Sequence, residues 1–412
     1  MRKENKKNLM ILSNSPYCNG GFQTLTRELG LSILERGGEV QFVCFQANPY
    51  RVLQESFPQS CCFRSPPEMN TRNIRPSNLK KAYDLLRLHK PDVLFFCNSG
   101  TPDFLPFMVA ARWAGVCHVV VHHGTDVDLP PELGRNKHFG GLVPGLGLWR
   151  KELIYSCRFA FRRASLILFN NDSQMENWRS ELRLTNQQTA LWYPPMDLAA
   201  FGRDTDIREK LRREIGVSSN FVIGCVGHLN RQKSFDVAIR AMVNLKGRMD
   251  DAVLVIAGEG GDRQNLEKMV ADLDLQKNVI LLGDRNDIPE LMNAFDLFCL
   301  PSTLANETLG IVILEAMATG VPVVVSDLPG PARLSQQGRA AITVPAGDHV
   351  ALADAWCRVC GDEGLRQYLV ANALKYVRQC DRSYVLDDLL ARLGEHKGKR
   401  DDSSAYIADG AC

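Results

Sequence analysis

No stretch of this 412-residue sequence stays apolar long enough to span a bilayer. The longest apolar region, GIVILEAMATGVPVVV, is interrupted by Glu315, Gly320 and Pro322, which reads as a buried helix, a turn and a strand. The basic start MRKENKK is followed by LMILSNSP, too short and too soon polar for a signal-peptide core, so secretion is not expected. Net charge is almost absent: 49 Lys and Arg against 47 Asp and Glu leave +2, which gives no basis for expecting nucleic acid as a partner. Two nucleotide-binding patterns are missing as well. Gly258-Glu259-Gly260-Gly261-Asp262-Arg263 fails the last glycine of G-x-G-x-x-G, and Gly20-Gly21 fails its first part, which argues against a nicotinamide-dependent dehydrogenase. No Gly-Lys-Ser/Thr run exists, which argues against a phosphate-loop ATPase. Cys357 and Cys360 have CxxC spacing, but no second such pair or His pair follows at zinc-finger distance, so neither metal nor redox chemistry is expected of them.

What is present is the composition of an ordinary globular protein, 45% apolar and 23% charged, long enough for two or three cores. Several of the 13 cysteines (Cys44, Cys97, Cys225, Cys299) lie inside apolar runs, where a reduced thiol behaves as a small hydrophobe. That usage fits a reducing, cytoplasmic setting. Short β-branched runs alternate with amphipathic helical stretches almost throughout, the pattern of parallel sheets with crossover helices. Strands are predicted at 9–15, 39–46, 92–99, 117–123 and 165–171, and again at 221–227, 252–258, 278–283, 296–302, 322–327 and 340–345. The fold class is therefore α/β, with two doubly wound, Rossmann-like domains expected to face an interdomain cleft. The expected division is an N-terminal Rossmann-like domain over 1–200, a charged linker over 201–219 and a C-terminal Rossmann-like domain over 220–379. A helix over 380–395 is expected to return towards the N-terminal domain, and 396–412 to form a flexible tail.

The segment PSTLANETLGIVILEAMATGVPVVVSD is the most informative. Glu307 falls in the loop after a strand, and Gly310 falls at a helix start, where the missing side chain lets backbone approach a ligand. Amide groups there would face a diphosphate, favoured by the helix dipole. Glu315 puts a carboxylate inside an otherwise apolar helix, where it needs donors such as ribose hydroxyls. In VGHLNRQKSFDVAIRAM, Lys233 follows a strand and a turn. SNSPYCNGGFQTLTRELG carries Gly20 and Gly21 between a strand and a helix, and VVVHHGTDVDLPPELG ends a strand on His122 and His123.

Together these segments resemble the retaining GT-B glycosyltransferases of family 4, the glycosyl transferases group 1. ETLGIVILE looks like that family's Glu-x7-Glu motif. By the resemblance Glu307 holds the hydroxyls of the transferred sugar, Glu315 holds the nucleotide ribose, and Thr308, Leu309 and Gly310 line the diphosphate. VGHLNRQKS is similar to the family's phosphate loop, with Lys233 on the Lys position. His228 stands where the family has Arg, and Ser234 where it has Gly. Whether His228 or Arg231 makes the second phosphate contact is open at this level. AGEGGDRQNLE resembles a second glycine-rich turn, and the loop Gly283 to Asn286, with Arg285 and Asn286, is the candidate contact to the base. Gly20 and Gly21 match the N-terminal glycine loop, and His123 the active-site His beside the transferred sugar, with His122 as its alternative.

The resemblance implies transfer from a nucleotide diphosphate sugar, without cofactor or metal, to a glycan, lipid-linked or small-molecule acceptor. Glu307 and His123 are the catalytic candidates. No Asp-x-Asp motif falls in an identifiable metal loop. An epimerase or phosphorylase on the same fold, or a noncatalytic nucleotide-sugar-binding protein, is the alternative. The segment RKELIYSCRFAFRRAS is basic and aromatic; it either touches a membrane surface peripherally or buries its aromatics and solvates its arginines.

Overall fold

A computed structural model describes residues 8–13, 21–44, 51–64, 68–71, 74–98, 104–116, 118–123, 158–304, 307 and 309–401. The chain divides into two compact units, Met1–Met196 with Arg382–Cys412, and Asp197–Asp381.

The first unit is built on a seven-stranded parallel sheet: β1 (Asn8–Ser13), β2 (Glu39–Cys44), β3 (Cys61–Arg64), β4 (Val93–Asn98), β5 (His118–His123), β6 (Leu166–Phe169) and β7 (Thr189–Leu191), in the order β3-β2-β1-β4-β5-β6-β7. Helices α1 (Gly21–Glu35), α2 (Arg51–Ser56), α3 (Pro76–His89), α4 (Leu105–Trp113) and α5 (Asp172–Leu182) connect the strands. Because side chains alternate along a strand, Met10 and Leu12 enter a core with α3 and α4 residues such as Leu86 and Phe107. Leu9 and Ile11 enter a second core, shared with Leu25 and Leu29 of α1. Both faces are covered, which is why these strands read as continuous apolar runs.

The second unit opens with α6 (Thr205–Ile215) and has a six-stranded parallel sheet: β8 (Phe221–Val226), β9 (Ala252–Ala257), β10 (Val279–Gly283), β11 (Leu297–Leu300), β12 (Val323–Ser326) and β13 (Ile342–Val344). Its order is β10-β9-β8-β11-β12-β13. Helices α7 (Phe235–Val243), α8 (Arg263–Asp272), the short α9 (Ile288–Leu291), α10 (Ile311–Ala318), α11 (Pro329–Leu334), α12 (His349–Gly361) and α13 (Glu363–Val377) complete it. Asp362 separates α12 from α13: it ends one, and its side chain accepts from Leu365 N at 2.8 Å to start the next. Both sheets reverse their strand order beside the first strand, the crevice where such folds bind ligands.

The sequence and the structure part at the domain boundaries. Residues 201–219, expected as a linker, carry α6 and belong to the second unit. Arg208 and Arg212 of that helix bind Asp296 at 2.5 and 2.9 Å, so the charge run is a set of anchors. The returning helix is longer than expected: α14 spans Arg382–Asp401, entering the stretch 396–412 anticipated as tail, of which 402–412 lie outside the described residues. Its Val385, Leu386, Leu389 and Leu393 form an apolar stripe in the first unit's α1-side core. Arg36, just after α1, pairs with Asp387 at 2.5 Å, and Arg382 with Glu28 and Glu35 at 3.3 and 2.9 Å.

Candidate active site

The predicted donor residues of the second unit lie on or just after the loops that leave the C-terminal edge of its sheet. These loops are laced together through their backbones. Gly227 N donates to Ala257 O at 3.0 Å, Leu229 N to Glu259 O at 2.9 Å, Asp262 N to Leu229 O at 3.0 Å, and Gly258 N to Gly283 O at 2.8 Å. The glycines of AGEGG serve this lacing. Gly258 has φ +143°, and a Cβ there would lie 2.0 Å from Gly227 O. No other residue type fits.

After β8 the chain turns at Asn230, whose carbonyl and side-chain oxygen accept from Lys233 N at 3.2 and 3.1 Å. Ser234 then takes a left-handed φ of 49°, the conformation that a glycine in the resembled motif would adopt freely. Its hydroxyl lies 2.9 Å from Arg231 O, to which it donates, and 2.5 Å from Thr303 Oγ1. The departure from glycine is thus accommodated by hydrogen bonds that only a hydroxyl supplies.

Lys233 leads to the centre of the site. Its Nζ donates to Glu307 Oε2 at 2.5 Å, and Ser302 Oγ donates to the same oxygen at 2.9 Å. Glu307 is only 5% exposed, so its charge depends on these two partners. Two residues that sequence reading placed in separate motifs, 74 positions apart, are in direct contact.

Gly310 follows with φ +72°, and a Cβ there would meet Ile313 Cδ1 at 2.9 Å and Leu300 Cδ2 at 3.0 Å. It starts α10, along which Glu315 sits half-buried. His228 and Arg231 are both exposed beside Lys233. Leu309, just before Gly310, is buried. Arg285 is directed elsewhere: it binds Asp287 at 2.5 Å and Glu214 of α6 at 3.0 Å. The side-chain bonds to Asp287 and Glu214 raise its pKa further, and Arg285 in turn lowers that of Asp287. Asn286 next to it is exposed.

In the first unit, His123 is the last residue of β5, in register with Asn98 of β4 and Phe169 of β6, and His122 precedes it. Gly21 is the first residue of α1. Gly20 and Thr308, and the side chains of His122 and His123, lie outside the described residues. Of the basic aromatic segment, Phe161 is buried while Phe159 is exposed with the Arg163 guanidinium 3.4 Å from its ring centre. Cys357 and Cys360 are free, and burial pushes the Cys360 thiol up. Among the described residues no three His, Cys, Asp or Glu side chains converge as a metal site.

Sequence reading missed Ser302, whose hydroxyl donates to Glu307, and Thr303, which meets the Ser234 hydroxyl, and it noted Ser234 only as a departure from glycine. The Ser-Thr step that follows β11 after Pro301 was the available signal.

The description Glycosyltransferase Family 4 matches residues 19–200, and Glycosyl transferases group 1 matches residues 207–376. Alpha-D-kanosaminyltransferase of Streptomyces kanamyceticus is 31% identical over 67% of this chain and 69% of its own length. The chain belongs to glycosyltransferase family 4. This glycosyltransferase is also 24% identical to the N-acetyl-alpha-D-glucosaminyl L-malate synthase of Bacillus anthracis, over 88% of the chain and 91% of that enzyme. Among solved structures, Anabaena HepE in complex with UDP superposes with a TM-score of 0.75 at 20% identity, covering 94% of this chain and 100% of that one. The two Rossmann-like units are those of the GT-B fold.

Proposed function

We propose that this glycosyltransferase moves a sugar from a nucleoside diphosphate donor to its acceptor with retention of anomeric configuration and without a metal ion. The observation that carries the reading is the buried Lys233–Glu307 contact at the head of α10. It pairs a cation suited to a diphosphate with a carboxylate suited to sugar hydroxyls, beside amides at a helix start. Lys233 and the α10 N-terminus stabilise the leaving diphosphate as negative charge develops, the part a metal plays in other transferases. Glu307 orients the sugar, Glu315 holds the ribose, and His123 stands beside the reacting centre in the assembled complex. The acceptor attacks from the face that the diphosphate leaves, through an oxocarbenium-like transition state. Retention rests on the family resemblance. The UDP bound by HepE makes UDP-sugars the first donors to try.

Free cysteines support a cytoplasmic location. Exposed Trp113 and Phe159, with Arg112, Arg162 and Arg163 close together, support peripheral contact with an anionic membrane.

Calorimetry with UDP-, GDP- and ADP-sugars and the free diphosphates tests the residue roles. Glu315→Ala weakens sugar nucleotide and free diphosphate alike, by about 1–3 kcal/mol. Glu307→Ala spares the free diphosphate and impairs the intact donor. Equal losses of free diphosphate in both variants would overturn the assignment, and activity that vanishes in excess chelator would overturn metal independence.

A further inference from the structure

The donor loops all leave the C-terminal edge of the second sheet. At its opposite edge lies a cavity of about 440 Å³, a size in the range of small-ligand sites. Phe221 opens β8, Asp296 immediately precedes β11 and Pro322 immediately precedes β12, and all three line it with Arg203, Arg366 and Val370.

The charges around this cavity do not balance. Asp296 is saturated: it accepts from Arg208 at 2.5 Å, from Arg212 at 2.9 Å and from Val222 N at 2.8 Å. Two guanidiniums on one carboxylate leave one positive charge over. Arg366 is matched by its own ion pair with Glu363. Arg203 has a single hydrogen bond, to Phe295 O at 3.1 Å, and no carboxylate partner among the described residues. Partial withdrawal from water and the neighbouring Arg208 hold its pKa below the usual guanidinium value, and Asp296, which opposes that shift, is already shared with Arg208 and Arg212. Three guanidiniums around the single Asp296 carboxylate, with Asp251 as a further acid near Cys360, leave a net positive charge beside the apolar surfaces of Phe221, Pro322 and Val370, which suits an anion carried on an apolar or ring body. Of the common groups, a phosphate monoester carries close to two negative charges at neutral pH, and a guanidinium binds it through paired N–H donors.

We propose that this cavity is a second ligand site of the enzyme, one that takes a small organic phosphate with Arg203 as its charge partner. It is built entirely within the second unit and on the edge opposite Lys233, so it does not depend on the donor assignment.

Titration calorimetry of the full chain with phenyl phosphate tests it. Wild type and Lys233→Ala bind the probe alike, and saturating UDP leaves that binding in place. Arg203→Gln, at an exposed residue whose loss leaves the Asp296 pairs intact, weakens it at least tenfold with an unchanged melting temperature. Absence of binding to wild type at millimolar probe, equal binding by Arg203→Gln, or displacement by UDP would each overturn the proposal.

Discussion

The two domains repeat one device at corresponding places and load it differently. Asp92 immediately precedes β4, and Asn8 N, at the start of β1, donates to its Oδ2 at 2.9 Å, while Asp92 N returns a bond to Asn8 O at 2.9 Å. Asp296 immediately precedes β11, and Val222 N in β8 donates to its Oδ2 at 2.8 Å, while Asp296 N returns a bond to Val222 O at 2.8 Å. In each sheet the carboxylate bridges the two strands flanking the point where strand order reverses. Asp92 has no ion pair among the described residues. Asp296 has two, with Arg208 and Arg212. The latch therefore belongs to the topology, and the arginines are the second domain's addition: they fasten α6, which has no strand before it in that unit, to the sheet it precedes.

The largest consequence of this difference is in stability. Asp296→Ala leaves Arg212, whose side chain is 8% exposed, without its counter-charge, and the second domain should lose about 3–5 kcal/mol. Asp92→Ala removes one hydrogen bond to a carboxylate and should cost the first domain about 1.5–3 kcal/mol. Trp356 is the only tryptophan of the second unit, whereas Trp113, Trp149, Trp178 and Trp192 belong to the first. Urea unfolding of variants that retain either Trp356 alone or the other four thus reads each domain separately, which matters because two domains need not unfold as one. Equal losses in both domains would break the comparison.

Arg212→Ala sharpens it by making Asp296 resemble Asp92. Its guanidinium also donates to Ala294 O at 3.1 Å and to Asn220 O, so a loss of about 2 kcal/mol is expected. In the double variant with Asp296→Ala the costs should fall well short of additivity, because both changes break one network. Arg208 is more exposed, at 22% for its side chain, and Arg208→Ala should cost about 1 kcal/mol. Additive effects of Arg212 and Asp296 would mean that the two do not act as a unit.

These latches mark where sequence reading stopped. The 11 predicted strands are present, most of them largely buried and so written mainly in apolar residues, although β10 and β13 are only partly covered. The two strands not predicted, β3 and β7, are the edges of the first sheet, with only four and three residues. β3 has one buried position in four, which leaves no run to notice. In α6 the apolar stripe of Ile207, Leu211 and Ile215 recurs every four residues but is outnumbered by charges, and the charges suggested a linker. At the candidate site, Lys233, Glu307 and Gly310 were legible because their chemistry repeats in a known pattern. Their contact was not, since it depends on how the loops after β8 and β11 approach one another. An Asp just before an apolar strand likewise resembles any loop residue until the neighbouring strand supplies its N–H.

The smallest expected effects lie at two helix starts that the domains share in kind and differ in setting. Asn171 caps α5 in the first domain, accepting from Gln174 N at 2.8 Å while 2% exposed. Asp204 caps α6 in the second, accepting from Ile207 N at 2.9 Å from an exposed position. Water can replace the lost acceptor at Asp204 and cannot readily do so at Asn171. Asp204→Ala should therefore cost about 1 kcal/mol and Asn171→Ala about 2 kcal/mol, the two ends of the usual range for a lost cap. Asp204→Asn isolates the part played by charge. Asn accepts the same hydrogen bond and caps as well as Asp, while the favourable interaction of a carboxylate with the helix N-terminus at an exposed site is worth only about 0.3–1 kcal/mol and is screened by salt. The unfolding midpoint reported by Trp356 should accordingly shift by a few tenths of a kcal/mol at low salt and by less at 1 M salt, where the Debye length is about 3 Å. A larger loss that persists at high salt would mean that the Asp204 carboxylate is held by something beyond its cap, and that α6 is fastened to the second domain at its start as firmly as it is through Arg208 and Arg212.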